Sequence, residues 1–137
     1  MIGAHRSAIK ALLGALPVQL TFYSGGQVPD EPTFPYAVLY MDTSIEDGTH
    51  LCGDTDMATF RFQVTSVGLS DDSAVIVADA ARTLVLDVRP TVAGRSCTRI
   101  RKETSIPVRA DKDVTDTATS LHPMFAVDTY VFTSRKD

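Results

Sequence analysis

One stretch of the chain constrains its fold more than any other, because an alternating apolar pattern is followed directly by a helical one. From Met57 to Gly68 phenylalanine and valine alternate with polar residues, which predicts a strand with one covered face. Ser70 then stands where a helix N-cap is expected, and acidic residues follow it. Apolar residues recur at helical spacing up to an expected end near Arg89. The chain must therefore bury one sheet face against a helix.

The other segments supply one more helix and several further strands. A helical pattern occupies the start of the chain and stops before a proline, which disfavours helix in the residue preceding it. A short apolar run that barely alternates is typical of a strand covered on both faces, and we place that run near the centre of the sheet. The predicted elements are a helix at Ile2–Leu16 and strands at Val18–Tyr23, Tyr36–Met41 (the apolar run), Cys97–Lys102 and Met124–Thr133.

These elements predict an α+β fold, with a mainly antiparallel or mixed β-sheet and two helices packed on one face. The length of 137 residues fits one domain covering residues 1–137, since two separate cores would both be small. Two long polar loops are expected, at residues 42–56 and 103–121. Loops of this length in a compact domain are usually functional or disordered.

Composition excludes several classes of protein. No apolar run is long enough to span a membrane, and the mean hydropathy of +0.03 is that of a soluble domain. The first residues lack the features of a secretory signal, which favours the cytoplasm as the site of synthesis. Thirteen basic against seventeen acidic side chains give a net charge of −4, which argues against a protein whose main task is to neutralise phosphates.

Candidate catalytic residues are few and carry no recognisable motif. A thiol nucleophile with a histidine base would have to come from Cys52 or Cys97 together with His5, His50 or His122. Cys97 falls in a predicted strand, where a buried and inert thiol is the ordinary interpretation. The sequence therefore predicts no enzyme and no cofactor.

A metal site is the next possibility. His50, Cys52, Asp54 and Asp56 occur at alternate positions, which would place them on one side of an extended segment. Only two of the four are nitrogen or sulfur ligands, fewer than structural zinc requires, and an EF-hand glycine is missing. We predict no metal site, although a weak divalent-ion site stays open.

The distribution of charge is more informative than its sum. The segment 42–56 has five carboxylates and no lysine or arginine, whereas residues 95–112 carry a net charge of +4. We predict that the two segments contribute to an interface between subunits or with a partner. The predicted interface residues are Asp42, Glu46, Asp47, Asp54, Asp56, Arg99, Arg101, Lys102, Arg109 and Lys112.

Three interpretations of this asymmetry stay open. Both segments can be solvated faces with no specific partner, because exposed charges contribute little. They can pair between copies of the chain, since a head-to-tail interface brings unlike patches together and can close into a ring. The basic segment can also bind nucleic acid, although it lacks interleaved aromatic residues for stacking bases.

The pattern of the whole chain resembles the tail terminator, or tail completion, proteins of siphovirus-type tailed bacteriophages. The resemblance rests on the opening helix, "FPYAVLYMD" at Phe34–Asp42, "GD" at Gly53–Asp54 and the strand and helix of Ala58–Asp87. It continues in "VAGR" at Val92–Arg95 and "HPMFAVDTYVFTS" at His122–Ser134. Nearly the full length is covered, by fold and spacing signatures that include no catalytic motif.

The resemblance implies a structural subunit that forms a ring, six-fold in well-known members, on the head-proximal end of the tail tube. Such a ring stops polymerisation of the tube and offers a surface for head joining. Its implied partners are its own copies, the major tail tube protein and a head connector or neck protein, with DNA passing through the lumen unbound. The implied location is the virion, after assembly in the host cytoplasm. The alternatives are a neck protein of similar fold, a nucleic-acid-binding accessory protein and a small ligand-binding domain.

Overall fold

Two helices and seven strands occupy the residues that the structure, a computed structural model, describes: 2–17, 19–25, 27–30, 32–42, 46–48, 57–116 and 118–137. For residues 46–48 only the backbone is described. In chain order the elements are α1 Ile2–Leu13, β1 Thr21–Ser24, β2 Tyr36–Met41, β3 Glu46–Gly48, β4 Met57–Gly68, α2 Asp71–Val85, β5 Arg95–Cys97, β6 Arg101–Ala110 and β7 Met124–Lys136.

All seven strands join one mixed sheet with the order β1, β2, β4, β7, β5. Its centre is the antiparallel pair of β4 and β7, in register from Met57 opposite Arg135 to Gly68 opposite Met124. β3 pairs with β4 on the same side as β2, and β6 pairs with β7 on the same side as β5. Among the described strands, β1 and β2 are the one parallel pair. The predicted α+β class, with a mixed sheet and two helices on one face, is confirmed.

The helices cover a sheet face built largely from aromatic rings. Phe60 and Phe62 of β4 stack on Phe132 and Tyr130 of β7 with centroid separations of 5.4 and 5.3 Å. These four side chains are at most 2% exposed, as expected for the face of an alternating strand that points into the core. The opposite face, here called the open face, carries the intervening residues of the same two strands, such as Gln63.

The start of α2 approaches the end of β4 so closely that residue 68 has no room for a side chain, which explains why it is a glycine. A Cβ atom at Gly68 would lie 2.5 Å from Cβ of Ser73 and 2.8 Å from the backbone nitrogen of Ala74. Ser70 caps the helix, because its hydroxyl accepts a hydrogen bond from the Ser73 amide at 3.1 Å. The predicted start of this helix is confirmed.

Both predicted helices were too long at their C-termini. α1 ends at Leu13 rather than Leu16, because the amides of Ala15 and Leu16 bond carbonyls only three residues back in a tightened turn. α2 ends at Val85 rather than near Arg89. The backbone there turns to pair with Ile100, which accepts from the Asp87 amide and donates to the Val88 carbonyl. Pairing with another segment therefore ends α2 before the apolar periodicity does.

Of the first two predicted strands, one is shorter than predicted and the other has the predicted bounds. β1 is shorter than the predicted Val18–Tyr23, since the Leu20 amide donates to the Pro17 carbonyl and holds a turn there. The predicted strand Tyr36–Met41 is confirmed and has neighbours on both sides, although the two central strands are β4 and β7. Part of the predicted 42–56 loop is also a strand, since residues 46–48 form β3.

The predicted loop at 103–121 was wrong over its first half. Residues from Arg101 to Ala110 form β6, and the connection to β7 begins only at Asp111, whose amide donates to the Pro123 carbonyl. β6 pairs with β7 along one side only and is almost fully exposed, so it needs no apolar face. The predicted strand Cys97–Lys102 likewise divides into the end of β5 and the start of β6.

Candidate functional site: an arginine-lined cavity

The structure separates the basic residues that the sequence groups together. Arg99 and Arg101 line a cavity at the junction of β5 and β6. Lys102 points to the other side of the sheet, into a groove beneath α2. Arg109 lies over the ring of Phe125, 5.5 Å from its centroid. Lys112 belongs to the turn between β6 and β7. The predicted basic surface is therefore several separate surfaces.

The cavity at this junction has a volume of about 670 Å³. Two arginines join Arg99 and Arg101 in its wall, namely Arg89 after α2 and Arg135 near the end of β7. The remainder of the lining is hydroxyl or apolar: Met57, Ser96, Cys97, Thr98, Val131, Phe132 and Thr133. This volume falls within the range of ordinary ligand pockets.

The cavity exists because β5 and β6 pair with successive parts of the same edge of β7. β5 pairs with β7 up to Ser134, and β6 takes over from Val131. Between them Thr98 bonds β7 without continuing a ladder: its amide donates to the Thr133 carbonyl at 2.8 Å and its hydroxyl accepts from the Thr133 amide at 2.9 Å. The chain leaves the sheet between β5 and β6, and residues of these two strands bound the cavity that results.

The charge in the cavity is uncompensated within the described part of the chain. Arg89, Arg99, Arg101 and Arg135 are exposed, and none forms a hydrogen bond or ion pair with a described residue. None of the described residues that line the wall is a carboxylate. By contrast, Arg61 on the open face bonds Glu103 at 3.1 Å. Four adjacent guanidinium groups repel one another and lower their energy by binding an anion.

Sequence reasoning found half of this group. It identified Arg99 and Arg101 from the density of charge between residues 95 and 112. It missed Arg135, although alternation along β7 places that residue on the same face as Val131. It also missed Arg89, which the backbone pairing of Val88 with Ile100 brings to the cavity and which no linear spacing could indicate.

The predicted acidic residues are only partly described. The Asp42 amide donates to the Arg61 carbonyl, directly after β2. Glu46 and Asp47 belong to β3 and stand opposite Thr59 and Ala58 of β4. Asp54 and Asp56 lie outside the described residues. β3 and β5 therefore occupy opposite flanks of the β4–β7 pair, three strand spacings or about 14 Å apart.

His5, Cys97 and His122 are the candidate catalytic residues that the structure describes, and each has a different environment. His5 is fully buried in the core, stacked 4.0 Å from Phe60, and its Nε2 atom lies 2.8 Å from the Ser134 hydroxyl. His122 bonds the Val114 carbonyl through Nδ1. Cys97 is a free thiol, 7% exposed, in β5, as the interpretation of a buried cysteine predicted.

The described residues form neither a metal site nor a membrane-spanning helix. Residues 2–42, 46–48 and 57–137, apart from the few undescribed positions among them, contain no group of three histidine, cysteine or carboxylate side chains placed to hold a metal. The weak candidate at His50, Cys52, Asp54 and Asp56 falls outside the described residues. Neither described helix has the length and apolar character needed to cross a membrane.

Comparison with known proteins connects this fold to a family. A solved chain titled "Virion of native gene transfer agent (GTA) particle" has a TM-score of 0.68 at 15% identity, covering 99% of this chain and 97% of that one. A second solved chain gives a TM-score of 0.54 at 16% identity, with 98% and 90% coverage. These two likenesses show the fold. No curated protein matches. The family model described as "Tail completion protein gp17" matches residues 4–121, so the chain belongs to this family of virion tail components.

Proposed function

We propose that this protein is the terminator of a phage tail: a ring of subunits, most simply six, that caps the head-proximal end of the tail tube. There it arrests polymerisation of the tube protein and presents a surface to the head connector. The observation that carries the proposal is the family match over residues 4–121, which identifies a tail completion protein. A structural task of this kind needs no catalytic group, and we propose a non-enzymatic role.

The charge distribution supports assembly by head-to-tail contact. Unlike patches at opposite flanks of one subunit can meet when copies repeat around an axis, and a rotation that closes gives a ring. The acidic residues Glu46 and Asp47 are in β3, which pairs with β4, whereas Arg99 and Arg101 of the cavity lie directly before and at the start of β6, which pairs with β7. We propose that the acidic segment 42–56 of one copy, with Asp54 and Asp56, contacts the basic surface of the next.

The decisive experiment removes the protein from an assembling tail. In infections with a phage whose copy of this gene is deleted, tail tubes are expected to grow beyond their normal length when imaged by negative-stain electron microscopy. Supplying the wild-type chain from a plasmid should restore the length. Tubes of normal length that fail to attach heads would reject the terminator role and favour the neck protein instead.

A second experiment tests the ring. Reversal of charge in the double variant Arg99→Glu, Arg101→Glu should reduce the oligomer mass measured by light scattering. The matched control is Arg109→Glu, which reverses a basic residue located on Phe125, outside the cavity. Unchanged mass in the double variant would reject the proposed pairing of acidic and basic surfaces.

We further propose that the ring lets DNA pass without binding it. Each subunit carries a net charge of −4, and like charge opposes binding of phosphates. Tight and steeply salt-dependent DNA binding by the assembled ring, measured by fluorescence anisotropy, would contradict this proposal.

A further inference from the structure

We propose that a groove on the open face docks a basic peptide segment with an apolar anchor, and that this segment belongs to another protein of the virion. The groove consists of two adjoining cavities of about 320 and 170 Å³, here together called the tyrosine groove, which share Val28, Tyr36, Val114 and Pro123 in their walls. The inference rests on the proposed role in tail assembly and deepens it, because it names a docking surface and the chemistry of a partner.

The sheet forms the floor of the tyrosine groove. Val67 of β4 stands between Tyr36 of β2 and Phe125 of β7, and all three side chains lie on the open face and line the larger cavity. The connections at 25–35 and 111–123 lie over this floor and form the walls. The groove is therefore at the end of the β4–β7 pair opposite the arginine cavity.

The walls are held in place before any partner binds. The ring of Tyr36 contacts the rings of Tyr23 and Phe34, with centroid separations of 5.4 and 5.3 Å. The connection between β6 and β7 is closed at its base, where the Asp111 amide donates to the Pro123 carbonyl at 2.8 Å. A preformed groove lowers the cost of ordering that binding would otherwise carry.

Apolar side chains remain accessible along the rim. Tyr40 and Val114 are 43% and 47% exposed, although each also lines the larger cavity. Tyrosine is enriched at the centres of protein interfaces, because its ring offers apolar area and its hydroxyl a hydrogen bond. An apolar side chain of a partner would cover this surface.

Carboxylates select the charge of the occupant. Asp30, Asp111 and Asp116 line the two cavities, and none of the other described lining residues is basic. None of the three aspartates forms an ion pair with a described residue, and the undescribed positions contain no lysine or arginine. Such a rim attracts a lysine or arginine side chain and repels the phosphates of a nucleic acid.

The ionisation of Tyr36 is consistent with this charge. Burial, and then Tyr40, Tyr23 and Asp111, raise the pKa of Tyr36 above its ordinary value of 10.0. A cation close to the hydroxyl would act in the opposite direction. Arg109, which contacts the ring of Phe125, is not among the residues that shift this pKa.

A second copy of this chain offers no suitable free segment. Its three longest stretches between long elements contain one lysine and no arginine: residues 25–35, 42–56 and 111–123. That lysine, Lys112, stands between two aspartates in a connection that forms the groove itself. The other basic residues belong to helices and strands, or adjoin the backbone hydrogen bond between Val88 and Ile100. The occupant is therefore assigned to a different protein.

Selection from a library of random short peptides tests the chemistry. The library is selected against the purified full-length chain and, in parallel, against the double variant Asp111→Asn, Asp116→Asn. We expect the wild-type chain to enrich peptides in which lysine or arginine flanks an apolar residue, and the variant not to enrich them. No enrichment, enrichment of acidic peptides, or the same peptides from both proteins overturns the inference.

Matched variants locate the binding. The most enriched peptide is labelled, titrated into each variant and followed by fluorescence anisotropy. Asp111→Asn, Asp116→Asn keeps side-chain oxygens that can accept the hydrogen bonds of the loop, and it should weaken binding about tenfold, less in high salt. Tyr40→Thr should weaken binding several-fold at every salt concentration. Binding unchanged by both overturns the inference.

The control removes a carboxylate elsewhere. Asp87→Asn changes an exposed aspartate outside the groove, whose φ of 61° asparagine also adopts. It should leave the affinity for the peptide unchanged. An equal loss of affinity in Asp87→Asn would show that only the net charge of the chain matters, and would overturn the inference.

Two further measurements identify the source of the occupant. By light scattering, Asp111→Asn, Asp116→Asn should have the oligomer mass of the wild-type chain, and a lower mass would make a second copy the occupant and overturn the inference. Supplied from a plasmid to the deletion phage, the same variant should fail to restore the yield of infectious particles, whereas Asp87→Asn should restore it. Full restoration by the groove variant overturns the inference.

The proposed function and the groove can fail separately. Overlong tails without the protein, combined with no enrichment of basic peptides, would leave the terminator function standing and remove the groove as a docking site. Binding of basic peptides at the groove, combined with normal tails in the absence of the protein, would keep the docking site and remove the terminator function.

Discussion

The two faces of the β4–β7 pair are made by alternate residues of the same two strands, and the two sets of residues differ in burial. On the face beneath the helices, Phe62 and Tyr130 stack in a closed core. On the open face one position further along, Gln63 and Val131 are partly or fully exposed, and the edge of that face leads into the arginine cavity. The two-residue period of a strand therefore separates the residues that build the core from those that remain accessible.

The sharpest test of this separation uses adjacent residues. Phe62→Ala, at a side chain that is 0% exposed, should lower the free energy of unfolding by about 3 to 5 kcal/mol, because it removes aromatic contacts and leaves a cavity. Gln63→Ala, on the open face, should change it by less than about 0.5 kcal/mol. Urea denaturation followed by circular dichroism measures both. Equal losses would show that the open face also contributes to the core.

A smaller effect is expected where the covering helix begins. Ser70→Ala removes the hydroxyl that accepts from the Ser73 amide and should cost about 1 kcal/mol of stability. Ser70→Asp keeps an acceptor at the same place and should retain most of it. Thermal denaturation of the two variants distinguishes loss of the cap from a general loss of packing against β4.

Tyr130 offers a test within the core that depends on pH. Its hydroxyl is buried without a hydrogen-bond partner among the described residues, so Tyr130→Phe should raise stability by up to about 1 kcal/mol. Burial, and then the nearby Asp128, raise the pKa of Tyr130 well above its ordinary value of 10.0. The folded state therefore holds this proton more tightly than the unfolded state.

The sign of the pH dependence follows from that difference. Below pH 10 both states are protonated at Tyr130, and its contribution is constant. Above pH 10 the unfolded chain loses the proton first, so stability falls as pH rises. Denaturation midpoints between pH 9 and pH 11 should drop less in Tyr130→Phe than in the wild-type chain. Parallel curves for the two proteins would contradict the placement of this hydroxyl.

The smallest effect belongs to the open face. Glu103 and Arg61 form an ion pair whose side chains are 38% and 31% exposed. Glu103→Gln should lower stability by about 0.5 kcal/mol or less, and the loss should vanish in high salt. A loss as large as that of Phe62→Ala would break the distinction between the two faces.

The sequence predicted correctly those elements whose apolar residues follow one regular spacing or whose end is marked by a capping residue. β4 and the start of α2 were predicted correctly. Both depend on neighbouring residues in the sequence: the alternation of buried and exposed side chains in β4, and the capping serine before α2. β6 was mistaken for a loop, since a strand exposed on an edge needs no apolar alternation and its Pro107 suggested a break. The end of α2 was misplaced for a related reason: a distant residue, Ile100, takes the backbone bonds that helix would use.

The sequence likewise predicted only part of the candidate site, namely the arginines that lie close together along the chain. The density of charge along the chain identified Arg99 and Arg101. It also grouped them wrongly with Arg109, which is about 20 Å away along β7. Only the register of β5 and β6 on β7 shows that these residues belong to different surfaces. Arg89 and Arg135 join the cavity through pairing between distant segments, and no local pattern carries that information.

The register of the central ladder also governs how the protein is made. Because Gly68 pairs with Met124 and Met57 with Arg135, the middle of the core cannot close until the final strand has left the ribosome. During translation Phe60 and Phe62 are exposed without their partner rings, and long-range pairings of this kind form slowly. The synthesis of β7 therefore precedes closure of the core.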